Sequence, residues 1–228
     1  MLIPAAGLGT RLGAAGPKAL LDLCGEPMLV HTLRRFEPLG LAQSAVIVVN
    51  ADHEAAVAEA CARAFPDARL RFVHGGAERQ ESVMRGLEAL DSDTDIVVVH
   101  DAARPFVSPT SIRASIEAAA QHGAATVAIP SADTILVGDE AGFLVETPDR
   151  SRLWACQTPQ TFQVTVLREA HATAARSGTA VTDDATVVRL AGGQVALVLG
   201  SRLNFKVTTP EDAALARAVI EGELATCE

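Results

Sequence analysis

The sequence predicts an α/β protein built on an open, mostly parallel β-sheet flanked by helices, and two observations carry this prediction. From the N-terminus to Pro130, short apolar runs of strand length alternate with longer stretches that have helical apolar spacing. One such run, Asp95–His100, is almost wholly apolar, as expected of a strand that is covered on both faces. Repeated strand–helix units of this kind form parallel sheets with right-handed crossovers.

The elements before Pro130 follow one another closely. The first strand ends with Leu2-Ile3, and Met28–Phe36 has the apolar spacing of a helix. The other predicted strands are Ala45–Val49, Leu70–Val73, Asp95–His100 and Ala125–Ile129. The predicted helices between them are Asp52–Ala64, a helix that ends at Leu90, and Pro109–Gln121. We find no internal repeat and no linker, so residues 1–228 are predicted to form a single domain.

The alternation of strands and helices breaks between Pro130 and Arg152. Thr134–Val137 and Phe143–Thr147 are short strand-like runs around a turn that contains two glycines. This pattern predicts a β-hairpin with no helix between its strands, an arm at about residues 131–152. An isolated hairpin is only marginally stable in water, so its apolar residues predict a packing partner, either the parent domain or a second subunit.

The remaining elements are helices and strands in mixed order. A helix is predicted at Val164–Arg176, and a second, short one opens at Val181–Asp184. The predicted strands are Val195–Leu199 and Asn204–Val207. The terminal helix begins at Pro210, because Thr209 precedes the proline and Asp212 follows three residues after Thr209, an N-terminal capping signal.

A glycine-rich loop, Pro4–Lys18, connects the first strand to the rest of the chain. Glycines allow backbone N–H groups to point together at one anion, and Arg11 and Lys18 add positive charge, so the loop suits a polyphosphate. The spacing excludes a Walker A loop, which ends in Gly-Lys-Ser/Thr, and a dinucleotide fingerprint, whose third glycine is replaced by Leu12. The glycines of the loop are Gly7, Gly9, Gly13 and Gly16.

Composition excludes several classes of protein. The net charge of −9 argues against a general nucleic-acid surface, and no apolar run is long enough to span a bilayer. The four cysteines are scattered without metal-ligand spacing, which is typical of free thiols in the cytoplasm. We also expect no signal peptide, because the chain starts directly in the strand and loop. The chain has only two lysines, Lys18 and Lys206, among 19 basic residues, and both lie in motif-like surroundings.

The carboxyl ends of parallel strands are where ligands bind in open α/β sheets. Besides the glycine loop, these ends carry Gly75–Ser82 and Asp101–Pro105. Asp101 follows a buried strand and is a natural Mg²⁺ ligand, although it also suits the cap of a following turn. His100 is expected to be packed, and Arg79 forms either an ordinary ion pair or part of a base-binding loop.

These residues resemble 2-C-methyl-D-erythritol 4-phosphate cytidylyltransferases, in order and over nearly the whole chain. The resemblance implies a fold of the nucleotide-diphospho-sugar transferase type, a homodimer formed through the β-hairpin arm, and transfer of CMP from CTP to methylerythritol phosphate with Mg²⁺. Ala77 departs from members that carry an acidic residue after the glycine pair, so base contacts there would come from the backbone. The matching segments are Pro4–Arg11, Pro17-Lys18, Gly75-Gly76 with Arg79–Val83, His100–Pro105, Asp149-Arg150, Thr158–Gln160, Thr182-Asp183 and Asn204–Thr208.

The resemblance also implies roles for particular residues. Arg11 and Lys18 would stabilise charge on the triphosphate, Asp101 would hold the metal, and Arg150 and Lys206 would position the phosphate of the second substrate. The other implied contacts to that substrate are Arg104, Thr134, Thr158 and Thr182. The implied nucleotide-binding residues are Ala5, Ala6, Gly7, Gly9, Gly76, Ser82 and Ala102.

Three alternative functions remain open at this point. A cytidylyltransferase for another polyol phosphate, such as ribitol 5-phosphate, would share the loop and differ only in the second pocket. A hexose-1-phosphate nucleotidyltransferase is disfavoured, because such enzymes tend to have an acidic metal ligand in the late segment where this chain has Lys206. A non-catalytic nucleotide-binding regulator would have no need of Arg11, Lys18, Asp101 and Lys206 together.

Overall fold

The computed structural model describes residues 1–7, 16–177 and 183–222. The strands in these ranges are β1 Leu2–Pro4, β2 Asp22–Leu23, β3 Glu26–Pro27, β4 Val46–Val49, β5 Arg71–His74, β6 Ile96–Val99, β7 Ala124–Pro130, β8 Val137–Gly138, β9 Leu144–Glu146, β10 Trp154–Gln163 and β11 Ala196–Leu199. The helices are α1 Met28–Arg34, α2 Glu54–Ala64, α3 Arg79–Glu88, α4 Pro109–His122, α5 Val164–Ser177, α6 Asp184–Leu190 and α7 Pro210–Ile220.

Within the described ranges, seven strands form one sheet in the order β11-β7-β10-β6-β1-β4-β5. Every neighbouring pair is parallel except those that include β10, which runs antiparallel to both β6 and β7. The predicted fold class, an open and mostly parallel sheet flanked by helices, is therefore confirmed. Because β1, β5 and β6 run in the same direction, their carboxyl ends lie at one edge of the sheet.

Alternate residues of the buried strands explain why these strands are apolar throughout. On one face, Ile3 and Ile47 belong to a cluster that includes side chains of α1, α2 and α4. On the other face, Leu2 and Val46 pack in a cluster with side chains of α3, α5 and α6. Both faces of the sheet are covered, so neither side of these strands carries the polar residues of a solvent-facing strand.

β10 is not predicted by the sequence pattern. It lies in the middle of the sheet although it contains Pro159, and a proline normally argues against a central strand because it has no N–H to donate. The ladder to β7 shifts register between Cys156 and Gln160, so the proline falls where the regular pairing is interrupted. Since β10 is antiparallel to β6, its Thr158 lies beside the end of β6, at the ligand-binding edge.

The predicted strand Asn204–Val207 is wrong, because this segment is irregular in the structure. Its backbone bonds to the loop after β6, where the Val207 N–H donates to the Ala103 carbonyl at 2.9 Å. Val207 is buried in a third apolar cluster with Met28 of α1 and Ala213 of α7. The apolar residues of this segment therefore pack against helices and the loop after β6 instead of extending the sheet.

Within the segment of the predicted arm, β8 and β9 form a two-stranded antiparallel ladder. The two strands are shorter than the predicted runs, and the apolar side chains of this segment are exposed, with Phe143, just before β9, at 71%. The terminal helix α7 begins as predicted, with a capping box between Thr209 and Asp212. Among the described residues, none of the helices has the length and apolar character that crossing a membrane requires.

Candidate active site

A cavity of about 350 Å³ opens at the carboxyl edge of the sheet, between the ends of β1, β5 and β6. Residues of four segments line the cavity: the described parts of the glycine loop, the Gly76–Ser82 segment, the turn after β6 and the segment before α7. These four segments are distant in sequence, and the parallel strands bring them together at one edge. The predicted site residues that line the cavity are Ala5, Ala6, Gly7, Lys18, Gly76, Ser82, Asp101, Ala102 and Lys206.

Asp101 lies at the centre of a group of cations. Its Oδ2 is 2.8 Å from the Lys206 ammonium nitrogen and 3.7 Å from Arg104 Nε, and its Oδ1 is 3.9 Å from Arg79 Nη2. Burial raises the pKa of the Asp101 carboxyl, but the charges of Lys206, Arg79 and Arg104 outweigh burial and hold the pKa well below its usual range. Asp101 is therefore an anion at any physiological pH.

His100 and Thr158 support the backbone of Asp101. The Thr158 hydroxyl lies 3.0 Å from His100 Nδ1 and accepts a hydrogen bond from the Asp101 N–H at 3.1 Å. His100 Nε2 lies 3.0 Å from the Arg104 carbonyl, which can only accept, so Nε2 carries the proton. Burial lowers the pKa of His100 to about 4, and the ring is neutral. Thr158 is buried behind Asp101 and does not line the cavity.

Three further predicted substrate-binding residues, Arg104, Thr134 and Arg150, lie outside the cavity lining. Arg104 donates hydrogen bonds from Nη1 to the Asn204 carbonyl at 2.7 Å and from Nη2 to the Cys156 carbonyl at 3.3 Å, so it joins the turn after β6 to β10 and to the segment before α7. Thr134 is exposed at the base of the arm, and Arg150, also exposed, bonds to the Ala132 carbonyl at 3.0 Å. Gly9, Arg11 and Thr182 lie outside the described residues.

The Gly75-Gly76 turn shows why small residues are needed beside the cavity. A Cβ on Gly75 would lie 2.8 Å from both the Ala6 Cβ and the Ser82 hydroxyl, so the two loops can approach each other only with glycine there. The Gly76 N–H donates to the Ser82 hydroxyl at 3.1 Å, and the Ala77 N–H donates to Glu81 at 2.8 Å. The loop is thus held by its own helix, α3.

Sequence reasoning missed a buried ionic network next to the cavity. Arg79, which lines the cavity, bonds through Nη1 to Asp184 Oδ2 at 2.7 Å, and Asp184 Oδ1 lies 3.1 Å from His171 Nε2. The only sequence signal was Arg79, whose position after the two glycines allowed an ion pair without naming its partner. Asp184 is 105 residues further along the chain, and no local pattern marks it.

We expect Arg79→Met to lower the free energy of unfolding by about 3 kcal/mol, because breaking a buried ion pair leaves one charge without compensation. Asp184 is 1% exposed and Arg79 is 28% exposed, so the aspartate would keep a buried charge, and among the described residues His171 would be its remaining ion-pair partner. The measurement is denaturant unfolding followed by circular dichroism.

Arg63→Met is the matched control for this prediction, since Arg63 forms an ion pair with Glu59 in which both side chains are 76% exposed. Such surface pairs contribute little, so the unfolding midpoint of this variant should stay almost unchanged. If both substitutions lowered the free energy of unfolding equally, the claim that the buried Arg79–Asp184 pair stabilises the fold more than an exposed pair would be wrong.

The acidic residues of the site determine whether it could hold a divalent cation. The described residues include no cluster of three or more His, Cys, Asp or Glu side chains that would hold a metal ion on its own. Asp101 offers a single carboxylate in a cavity rich in cations. This arrangement fits Mg²⁺, which typically takes one or two carboxylates and completes its shell with phosphate oxygens and water. Oxygens of a phosphate-bearing ligand would complete the shell of a divalent cation bound here.

The fold and the cavity define an α/β protein with a cavity lined by cationic side chains at the carboxyl edge of its sheet, the place where proteins of this fold class bind their ligands. A family model described as IspD: 2-C-methyl-D-erythritol 4-phosphate cytidylyltransferase matches residues 1–222. The chain therefore belongs to the 2-C-methyl-D-erythritol 4-phosphate cytidylyltransferase family.

Individual relatives agree with the family model. The Bacillus velezensis protein of that name is 42% identical over 224 residues, which are 98% of this chain and 96% of the relative. The crystal structure of the Thermus thermophilus protein of the same name matches with a TM-score of 0.78 at 38% identity. The match covers 95% of this chain and 96% of the Thermus thermophilus chain. The 4-diphosphocytidyl-2C-methyl-D-erythritol synthase of Anaerococcus prevotii has a TM-score of 0.85 at 28% identity and covers 96% of each chain.

Proposed function

We propose that this protein transfers the cytidylyl group of CTP to 2-C-methyl-D-erythritol 4-phosphate. A phosphate oxygen of the polyol phosphate attacks the α-phosphorus of CTP, the bond from that phosphorus to the β-phosphate oxygen breaks, and pyrophosphate leaves. The product is 4-diphosphocytidyl-2-C-methyl-D-erythritol. The observation that carries the proposal is the cavity that joins Lys18, Asp101 and Lys206 in a chain of this family.

The reaction requires no general base. A phosphomonoester has a second pKa of about 6, so the nucleophile is already largely a dianion at neutral pH. The histidine next to the cavity, His100, is buried and neutral, and both of its ring nitrogens have hydrogen-bonding partners. The difficulty is to bring two anions together, so positioning and neutralisation of charge carry the catalysis.

The cavity divides into a nucleotide side and a phosphate-acceptor side. On the nucleotide side, the loop residues Ala5 to Gly7 and the turn at Gly76 offer backbone groups, and Ser82 keeps that turn in place. Arg11 and Lys18 bind the triphosphate and stabilise charge that develops at the α-phosphorus. Gly9 and Ala102 complete the nucleotide side.

On the acceptor side, Lys206 and the partner subunit's copy of Arg150 bind the phosphate of the polyol phosphate. We assign Arg104, Thr158 and Thr182 to the acceptor side as well, together with Thr134 of the arm. Arg104 and Thr158 hold the backbone of the site in place. The Thr158 hydroxyl accepts a hydrogen bond from the Asp101 N–H, and Arg104 donates to the Asn204 carbonyl in the segment before α7.

Asp101 is the residue that would hold Mg²⁺ in the site. When bound, Mg²⁺ supplies positive charge that neutralises the phosphates. The low pKa of Asp101 suits this role, because the carboxylate is ionised before any ligand arrives.

The protein acts as a homodimer through the arm formed by β8 and β9. The arm exposes a row of large apolar side chains, as an interface would require. Arg150 is not part of the cavity lining of its own chain, which supports a role in the site of the partner. The exposed apolar residues of the arm are Ile135, Leu136, Val137, Phe143, Leu144 and Val145.

The function is tested by incubating the protein with CTP, Mg²⁺ and one polyol phosphate at a time, followed by ³¹P NMR. We expect pyrophosphate and a cytidine diphosphate ester with methylerythritol phosphate, and little product with ribitol 5-phosphate. Faster turnover of ribitol 5-phosphate would reassign the acceptor. Binding of CTP without product from any acceptor would indicate a regulatory module instead of an enzyme.

A further inference from the structure

The ion pair between Lys206 and Asp101 conflicts with the roles proposed for both residues. Asp101 is proposed to hold a divalent cation and Lys206 to bind an incoming phosphate, yet the two side chains contact each other at 2.8 Å. We propose that Lys206 occupies the cation position on Asp101 in the nucleotide-free protein and leaves it when a divalent cation arrives with the triphosphate. Its ammonium group then becomes available to the phosphate of the second substrate, an inference that rests on the proposed function.

Among the described residues, three cations neighbour the Asp101 carboxylate, and Lys206 is the one that contacts it directly. Arg104 Nε and Arg79 Nη2 are 3.7 and 3.9 Å from the carboxylate oxygens, beyond hydrogen-bonding distance. Their other nitrogens are held elsewhere, on the Asn204 carbonyl and on Asp184, both at 2.7 Å. The two arginines are therefore fixed neighbours, and Lys206 is the cation whose pairing can change.

The exchange requires that Asp101 stays in place while Lys206 moves, and the exposure of the two side chains agrees with this. The Asp101 side chain is 13% exposed, and its backbone N–H is bonded to Thr158. The Lys206 side chain is 41% exposed and carries its charge on a flexible four-carbon stem. The segment next to it is anchored, since the Asn204 side-chain Nδ2 donates to the Thr158 carbonyl at 2.8 Å and the Val207 backbone N–H donates to the Ala103 carbonyl at 2.9 Å. Only the side chain of Lys206 has to move.

Electrostatics favours an exchange over simultaneous binding. A divalent cation on Asp101 with Lys206 still in contact would place three positive charges on one carboxylate, with Arg79 and Arg104 nearby. A triphosphate compensates this excess, but the nucleotide-free cavity has no such anion. The described residues also include no group of three or more His, Cys, Asp or Glu side chains that would hold the metal by itself. Lys206 therefore opposes metal binding until the nucleotide is present.

The test is titration of the nucleotide-free protein with Mn²⁺, in which electron paramagnetic resonance measures the free ion. We expect Lys206→Met to bind Mn²⁺ about 5- to 100-fold more tightly than the wild type, the usual range of coupling between two sites. Lys206→Arg keeps the charge and should bind as weakly as the wild type. Asp101→Asn in the Lys206→Met background should abolish the gain.

Lys18→Met is the matched control, because it removes the other lysine that lines the same cavity. We expect a smaller gain from it than from Lys206→Met, since the proposal assigns the contact with Asp101 to Lys206. No gain from Lys206→Met, or an equal gain from both variants, would overturn the inference. Should Lys206→Met fail to fold, Lys206→Gln provides the same comparison.

The two levels of proposal fail in different ways. Failure of the proposed function would appear as absence of cytidylyl product from the wild-type protein. Failure of the present inference would leave product formation intact and leave the Mn²⁺ affinity of the Lys206 variants unchanged.

Discussion

We expect Lys18→Ala to lower kcat by about 100- to 1000-fold, the usual loss when one donor to a developing charge is removed. Lys18 opens a short 3-10 helix, Lys18–Leu20, and lines the cavity together with Asp101 and Lys206. Its N–H donates to the Gly7 carbonyl at 3.4 Å, which places the lysine against the start of the glycine loop. The lysine is thus positioned beside the place proposed for the triphosphate.

The reason for a change in kcat lies in the transition state. Charge around the α-phosphoryl group grows as the reaction proceeds, and only contacts that strengthen in the transition state raise kcat. Steady-state kinetics should therefore show a large loss in kcat and a much smaller change in KM for CTP. We expect the same pattern for Arg11→Ala. An unchanged kcat with a raised KM would mean that these residues contribute only to binding.

Arg113→Ala serves as the control for both variants. Arg113 lies on an exposed face of α4 and does not line the cavity. Its removal changes the net charge by the same amount, and kcat should stay close to the wild-type value. A comparable loss in this variant would show that net charge, not position, determines the rate.

The second large effect concerns Arg150, which we expect to act in the site of the partner subunit. In a twofold dimer each site would combine Lys18 of one chain with Arg150 of the other. Lys18→Ala and Arg150→Ala homodimers should each be nearly inactive. In a mixed dimer of these variants, one site carries both changes and the other site carries neither.

Mixing the two inactive variants measures this arrangement. After equal amounts are denatured and refolded together, random pairing makes about half of the dimers mixed, and each of these has one intact site. Activity should recover to roughly a quarter of the wild-type value when the sites work independently. Arg150 acting within its own chain would leave every site with one lesion, so no recovery, with mixed dimers confirmed by mass, would contradict the prediction.

The neighbouring arginine provides the control for this experiment. Arg152 is exposed two residues further along the same segment, and the proposed function gives it no role. Arg152→Ala homodimers should keep wild-type activity. A mixture of Lys18→Ala with Arg152→Ala should therefore be active even before it is denatured and refolded. Its activity should equal that of the Arg152→Ala protein which it contains.

The sequence by itself determined the fold class and most of the cavity lining. Strands buried on both faces are apolar throughout, and parallel strands place their carboxyl ends at one edge, so Lys18 and Asp101 could be assigned to the same site from local patterns alone. The capping box at Thr209 and Asp212 is equally local, and it marked the start of α7 correctly. These signals depend on neighbouring residues and need no knowledge of distant contacts.

Only the tertiary structure decided the position of β10 and the partners of the charged residues. β10 contains Pro159 and many polar residues, so its place in the sheet depends on pairing with β6 and β7 and not on its own pattern. The pairs of Lys206 with Asp101 and of Arg79 with Asp184 join segments about 100 residues apart. An ion pair is selected by distance and burial in the folded chain, and a sequence records only which charges are present.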